Sequence, residues 1–450
     1  MEQCRQMERA LKIQKITRGV TLMRLGLVRA QVAMVLIFCV LLGAQIASAS
    51  VKITHWQQHS DYWVDVVASL ARDFEKDNPG VKIDFNPMPY ANYWEKLMIS
   101  LEAGTGPDIM QIPYGVAREF YIQGHIQPVP ASVMTKSEIE NDFLAWTIED
   151  FKFDDEYYGI PVDCQTMLLY VNRGMFDAAG IEVKQPESWD EVVEWAKKLT
   201  IRDSRNRVTQ IGFDTSARRG IYKTIMMQWL YPNGLVDSEN MKVNYDSPDG
   251  IAAWQFMSDL VYKHKAADPT FMGTGGNFEQ QRSAIKLDGT WYRATLDNDY
   301  TEVDYVTLLV PPPAHKPEAK VNRAVKWGWF VASTCKNPEV AWEWIKYASN
   351  DDAQTYWQEN KLGFLPSRKN VIYDARWHSD PNWQTILDAM DRSSSTDTIV
   401  GWADVNRIRG QLWEAVVNNT MPVDDAVRKF ADEENLLLQE KKALFESALQ

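Results

Sequence analysis

The stretch that decides the fold is residues 51–112, VKITHWQQHSDYWVDVVASLARDFEKDNPGVKIDFNPMPYANYWEKLMISLEAGTGPDIMQI. Strand-like and helix-like runs alternate along it. In order, the runs are strand 51–55, helix 62–78, strand 81–85, helix 93–101 and strand 108–112. This alternation predicts an α/β fold with a mostly parallel sheet and helices on both faces. In open sheets of this kind ligands bind beyond the carboxyl ends of the strands, so the loops that follow these strands are expected to face one site.

The rest of the chain continues the α/β pattern less cleanly. Helical spacing of apolar residues recurs at 189–200, 250–263, 337–350 and 423–448. About 400 residues after the N-terminal segment exceed one comfortable hydrophobic core, which predicts two domains. No long Gly/Ser linker separates them, so we expect the chain to cross between the domains through short ordered segments.

The N-terminus has the pattern of a secretory signal peptide. Seven Lys or Arg precede residue 50, and an apolar run at 32–43 leads to Ala47-Ser48-Ala49, a small-x-small cleavage pattern. We therefore expect residues 1–49 to be removed and the protein to be exported to the periplasm. The sequence leaves open whether translation starts at Met1 or at Met23.

The charge of the chain excludes some partners. Residues 1–49 carry seven positive and two negative charges, so without them the formal net charge falls from −13 to −18. Such an acidic protein is repelled by nucleic acid and by anionic lipid. We expect neither as a partner.

Few residues suggest metal or catalytic chemistry. His55 and His59 could share a helical face, but a third ligand is missing, so no metal site is predicted. Cys164 and Cys335 are the two cysteines that remain after cleavage, and whether they pair stays open. No nucleophile elbow, phosphate-binding loop or Cys/His pair is present, so no catalytic residue and no cofactor are predicted.

Several segments resemble a known family when they are taken in order. They are FEKDNPG (74–80), AGTGPD (103–108), YGIPVD (158–163), LYVNR (169–173), AGI (179–181), PESWDE (186–191), AIKLDGTW (284–291), NPEVAW (337–342) and GFLP (363–366). With these segments the chain resembles the bacterial extracellular solute-binding proteins of the sugar-binding group, the maltose-binding-protein-like receptors of ABC importers.

The resemblance implies a periplasmic-binding-protein-like fold with two discontinuous α/β lobes, a hinge of several crossings, and a ligand cleft between the lobes. The implied N-terminal lobe contains residues 50–161 and 327–351, and the C-terminal lobe residues 162–326 and 352–450. The implied function is capture of a small carbohydrate and its delivery to the permease subunits of an ABC transporter in the membrane. We expect the receptor to be a monomer.

A sugar offers a belt of hydroxyls and flat C–H faces, so its site needs polar side chains and aromatic platforms. Trp291 is the main candidate platform because the resemblance places an aromatic residue there, after Gly289. Further candidates follow strands or flank the implied crossings. They are Gln57, Asp61, Tyr90, Tyr114, Asp163, Gln165, Thr166, Trp327 and Trp329.

Two other functions remain as alternatives. The chain could bind a sugar for a signalling partner, or Asp163 and Asp61 could serve as the acid and base of a carbohydrate-active enzyme. No cluster of Arg and Lys is evident near the expected cleft, which argues against a phosphorylated ligand.

Overall fold

The computed structural model describes residues 50–58, 61–237, 240–271, 276–361, 363–395, 399 and 401–448. The signal-peptide prediction therefore lies outside the described residues. By contacts, residues 50–52 and Asn78–Lys82 form a small unit, in which the Val51 amide donates to the Gly80 carbonyl over 2.7 Å. All other described residues form a second unit.

Fourteen strands lie within the described residues. They are β1 Val51–Gln58, β2 Val81–Met88, β3 Ile109–Pro113, β4 Lys152–Phe153, β5 Glu156–Tyr157, β6 Gly159–Asn172, β7 Ile201–Arg202, β8 Val208–Asp214, β9 Val236–Asp237, β10 Lys242–Val243, β11 Ser283–Gly289, β12 Tyr305–Leu308, β13 Asn322–Val331 and β14 Ser393–Ser394.

Sixteen α-helices lie within the same residues. They are α1 Asp61–Asp77, α2 Tyr90–Glu102, α3 Tyr114–Ile122, α4 Lys136–Asp142, α5 Ala145–Ile148, α6 Arg173–Ala178, α7 Trp189–Leu199, α8 Arg218–Trp229, α9 Pro248–Tyr262, α10 Tyr292–Asp299, α11 Pro338–Ala348, α12 Asp351–Glu359, α13 Lys369–Ile372, α14 Trp383–Met390, α15 Trp402–Val417 and α16 Val423–Ala448. The strand and helix order predicted for residues 51–112 is confirmed.

One large sheet organises the molecule in the order β2-β1-β3-β13-β6-β11-β8-β7. The pairs β1–β3 and β8–β11 are parallel, but β13 runs antiparallel to both β3 and β6. The expectation of a mostly parallel sheet is therefore wrong. The reason is that β13 runs opposite to both of its neighbours, β3 and β6, and that β11 in turn runs opposite to β6.

The strands β6 and β13 connect two separate cores. One core packs around β3, with Leu97, Ile112 and Phe120 among its buried residues, and we call this part the first lobe. A larger core packs around β8 and β11, with Trp189 and Phe213 among its members, and we call this part the second lobe. The lobe boundaries given above stay a prediction, because both long strands run through the transition without a break.

Other predictions can be compared with the described residues. Cys164 and Cys335 are both buried and unpaired. No helix among the described residues is long and apolar enough to cross a membrane. His55 is fully buried, and His59 is outside the described residues.

The buried His55 makes stability depend on pH. Its Nδ1 accepts a hydrogen bond from Trp344 Nε1 over 3.2 Å, and its ring meets the Trp329 ring edge-to-face at 4.9 Å. Burial lowers the pKa of His55 to about 3, from an ordinary value of 6.5. Between these values the unfolded chain binds a proton that the folded protein does not, so stability falls as the pH falls from 6.5 towards 3.

We expect His55→Asn to flatten this dependence, because the Asn side-chain oxygen can still accept from Trp344 and does not titrate. Urea unfolding at pH 7 and at pH 4.5 should show wild type losing about 1–3 kcal/mol more than the variant. The exposed His378→Asn is the matched control and should behave as wild type. Equal losses for wild type and His55→Asn would contradict this account.

Candidate functional site

One face of the β6–β13 pair carries polar and aromatic side chains. Trp327 pairs with Asp163, and Val325 pairs with Gln165. Because side chains alternate between faces along a strand, these residues lie on one face together with Arg323. All five line a single cavity.

This cavity, which we call the main cavity, has a volume of about 680 Å³. Ligand pockets commonly span roughly 300–1,000 Å³, so it is large enough for a small-molecule ligand. Its lining residues come from both lobes and from the strands between them. They are Gln58, Asp163, Gln165, Ser216, Ala217, Arg218, Arg219, Gly220, Asp288, Trp291, Arg323, Val325, Trp327 and Phe364.

Asp163 and Gln165 form a polar pair in the cavity wall. Both are almost fully buried, at 1% and 2% exposure. Gln165 Nε2 donates to Asp163 Oδ1, while Asp163 Oδ2 has no hydrogen-bond partner among the described residues. Burial raises the pKa of Asp163 well above its usual range, and the Gln165 bond offsets only part of this. An oxygen in this position is suited to a hydroxyl group of a ligand.

Trp291 stands where β11 ends and α10 begins. Its backbone amide donates to Gln165 Oε1 over 3.2 Å, which ties it to the polar pair. Its ring lies against Gly289, since a Cβ atom there would be 1.9 Å from Trp291 Cζ3. The side chain is half-buried and lines the cavity. The Gly therefore provides the space that lets the indole lie flat at the end of β11.

Trp327 forms a second aromatic wall. It is 8% exposed and stacks on Trp94 with the ring centroids 6.0 Å apart and the planes at 29°. Trp94 is in turn packed against Trp402 at 6.1 Å. Trp94, itself packed against Trp402, therefore supports the Trp327 ring on the side of the first lobe.

The structure thus brings together four of the predicted residues, Asp163, Gln165, Trp291 and Trp327. Gln57 and Trp329 lie elsewhere. Gln57 and Trp329 are both fully buried, and Trp329 Nε1 donates to Gln57 Oε1 over 2.9 Å.

Thr166 and Tyr114 are also in the interior. Thr166 is on the opposite face of β6, where its Oγ1 accepts from Asn322 Nδ2 over 2.7 Å and lies 2.5 Å from Ser393 Oγ. Tyr114 is 3% exposed, and its ring packs under the Lys326 ammonium at 5.5 Å.

Asp61 and Tyr90 are the first residues of α1 and α2. Their side chains lie outside what the structure describes, so their part in the site stays a prediction.

Sequence reasoning missed several lining residues. Ser216 and Arg218 stand at the carboxyl end of β8, which is parallel to β11, so the rule that ligands bind beyond strand ends could have found them. Arg323 could have been predicted as well. It precedes Val325 by two residues and Trp327 by four, and on a strand such residues lie on the same face.

The statement that the cleft has no cluster of Arg or Lys is wrong. Arg218, Arg219 and Arg323 all line the main cavity. Arg323 is distant in sequence from the adjacent Arg218 and Arg219, and it meets them because α8 packs against β13.

A smaller cavity of about 190 Å³ lies beyond Trp291, among residues that include Arg293 and Asp380. Arg293 in its wall is already paired, since Arg293 Nη2 bonds Asp380 Oδ2 at 2.5 Å and lies 3.4 Å from Asp297 Oδ2. In neither cavity, nor elsewhere in the described part of the chain, do three His, Cys, Asp or Glu side chains gather as a metal site would require.

Comparisons with known proteins agree with this architecture. The arabinooligosaccharide-binding protein of Halalkalibacterium halodurans is 25% identical over 361 residues, which cover 75% of this chain and 77% of that protein. A solute-binding protein of an ABC transporter from Thermotoga lettingae, bound with α-D-tagatose, superposes with a TM-score of 0.75 at 23% identity, covering 86% of this chain and 100% of the other. The maltose/maltodextrin-binding domain from Bdellovibrio bacteriovorus, bound to maltotriose, also gives 0.75, at 17% identity with coverages of 86% and 100%.

These structural matches show the fold, which has two α/β lobes with a cleft between them. The sequence match identifies the family, because the model for bacterial extracellular solute-binding proteins matches residues 69–385, well over half of the chain. This chain therefore belongs to the family of bacterial extracellular solute-binding proteins.

Proposed function

We propose that this protein captures a carbohydrate in the main cavity outside the cytoplasmic membrane and delivers it to the permease of an ABC importer. The observation that carries the proposal is the combination, in one cavity, of the unpartnered Asp163 oxygen with the indoles of Trp291 and Trp327. Polar atoms of this kind suit the hydroxyls of a sugar, and the rings suit its C–H faces.

Other features support the same function. The relatives named above are an arabinooligosaccharide-binding protein, an ABC transporter solute-binding protein bound with α-D-tagatose and a maltose/maltodextrin-binding domain bound to maltotriose. Delivery to a permease is the role of an ABC transporter's solute-binding protein. These relatives are not enzymes, so we propose capture without chemistry. We also propose that the protein is exported after removal of residues 1–49 and that it acts as a monomer.

Capture is tested by thermal unfolding of the purified protein with a panel of neutral and acidic mono- and oligosaccharides. A ligand at 100 times its dissociation constant should stabilise the folded protein by about 2.7 kcal/mol, because it binds only that state. At least one saccharide should raise the melting temperature, whereas amino acids and short peptides should not. Stabilisation by peptides alone would contradict the proposal.

The role of Trp291 is tested by Trp291→Ala and Trp291→Phe. We expect Ala to weaken binding of the sugar found in the panel by about 2–4 kcal/mol, because truncating a buried aromatic anchor uncovers one face of the ligand. Phe keeps most of the flat surface and should be milder. Isothermal titration calorimetry measures both, with melting curves of the free variants as the check on folding.

Trp377→Ala is the matched control, since Trp377 is a half-buried tryptophan that lines the smaller cavity. It should leave affinity unchanged. If Trp291→Ala binds sugar normally but melts far lower, Trp291 is a core residue; loss of a buried Trp costs about 3–5 kcal/mol of folding stability.

A further inference from the structure

The arginines of the main cavity differ in how they are paired, and Arg323 is the informative one. Its side chain is half-buried, and its Nε is buried without a hydrogen-bond partner among the described residues. Its Nη1 has only a weak contact with Met167 Sδ at 3.9 Å. No carboxylate of the described residues forms an ion pair with it.

A guanidinium in this position needs an anion. When a binding cleft closes, water leaves, and a cation without a counter-charge loses much of its solvation free energy. The planar fork of an arginine is matched by the two oxygens of a carboxylate, which restore the charge balance and the hydrogen bonds together.

The start of α8 adds positive potential to the same end of the cavity. Ala217, its N-cap, provides no side-chain capping bond, and residues 216–220 line the cavity. The positive end of the helix dipole therefore faces the cavity. Arg218 lies there too; its ion pair with Glu414, at 2.7 Å, joins two exposed side chains and contributes little in water.

The acidic residues of the cavity do not balance Arg323. Asp288 lies 3.5 Å from the Lys286 ammonium, which also lies 3.7 Å from Asp214. Asp163 is hydrogen-bonded to Gln165 and forms no ion pair with Arg323 among the described residues, and its burial raises its pKa well above its usual range, which disfavours the charged form.

We propose that the captured carbohydrate is acidic, a saccharide built from uronic acid, whose carboxylate binds Arg323 next to the start of α8. This inference rests on the proposed function, because it specifies which class of carbohydrate the same cavity binds. Of the three arginines that line the cavity, Arg323 has a buried Nε without a hydrogen-bond partner among the described residues, and the two oxygens of one carboxylate match its planar fork.

The experiment combines a change in the protein with a change in the ligand. The probes are oligosaccharides of galacturonic, glucuronic, mannuronic and guluronic acid, each compared with its neutral methyl ester, together with neutral oligosaccharides, sugar phosphates and sugar sulfates. Calorimetric titration is done with wild type, Arg323→Gln and a control, Arg207→Gln, whose arginine is on the exposed turn before β8.

For at least one uronic oligosaccharide, wild type and the control should bind the acid at least tenfold more tightly than its ester. Arg323→Gln should lose this preference and bind the ester within about twofold of wild type, with an unchanged melting temperature. A merely structural role for Arg323 would instead weaken acid and ester equally, and that result would overturn the proposal.

The remaining outcomes also decide between the proposals. Tight binding of neutral saccharides with no preference for an acid would refute the proposal that the ligand is acidic, but not the proposal that the protein captures a carbohydrate. Binding of sugar phosphates or sulfates but of no uronic acid would refute the proposal that the anionic group of the ligand is a carboxylate. Binding of none of the saccharides would overturn carbohydrate capture as well.

Discussion

The antiparallel pairing of β6 with β13 is the constraint on which the rest of the structure depends. Side chains alternate across this pair, so Asp163 and Gln165 face the main cavity while Cys164 and Thr166 face the interior. A shift of one residue in the pairing would exchange these two sets and bury the charged Arg323 in the core. The same hydrogen bonds that join the two lobes therefore also assemble the binding surface.

The cavity combines aromatic rings that are held in place by packing with polar groups whose hydrogen bonds are incomplete. Trp327 is held from behind by Trp94, and Trp291 is held by Gly289 and by its bond to Gln165, so both rings are in place before a ligand arrives. Pre-organised aromatic walls reduce the entropy that binding would otherwise cost. The Asp163 oxygen and the guanidinium of Arg323 are in contrast incompletely satisfied, and a ligand can complete their bonds. If the proposed function is correct, the aromatic walls supply affinity, whereas Asp163 and Arg323 supply selectivity.

Much of the fold follows from sequence pattern, whereas the site follows only in part. The alternating periods of residues 51–112 predict the first strands and helices because burial imposes those periods locally. Asp163 was predicted because it follows an implied crossing between the lobes, and Trp291 because the family resemblance places an aromatic residue after Gly289; the structure places both in the wall of the main cavity. Gln57 and Trp329 could not be told from cavity-lining residues in sequence, because an aromatic and an amide that are hydrogen-bonded to each other in the interior look the same there as a pair that lines a cavity. The arginines escaped notice because only the packing of α8 on β13 brings them together.

The most direct test of the central claim is a crystal structure of the protein with the tightest-binding saccharide from the panel. The account predicts the ligand in the main cavity, with a hydroxyl within hydrogen-bond distance, about 2.5–3.0 Å, of an Asp163 oxygen and a sugar ring against Trp291 or Trp327. Electron density for the saccharide in the smaller cavity beside Arg293, or on the outer surface of either lobe with the main cavity filled only by water, would contradict it.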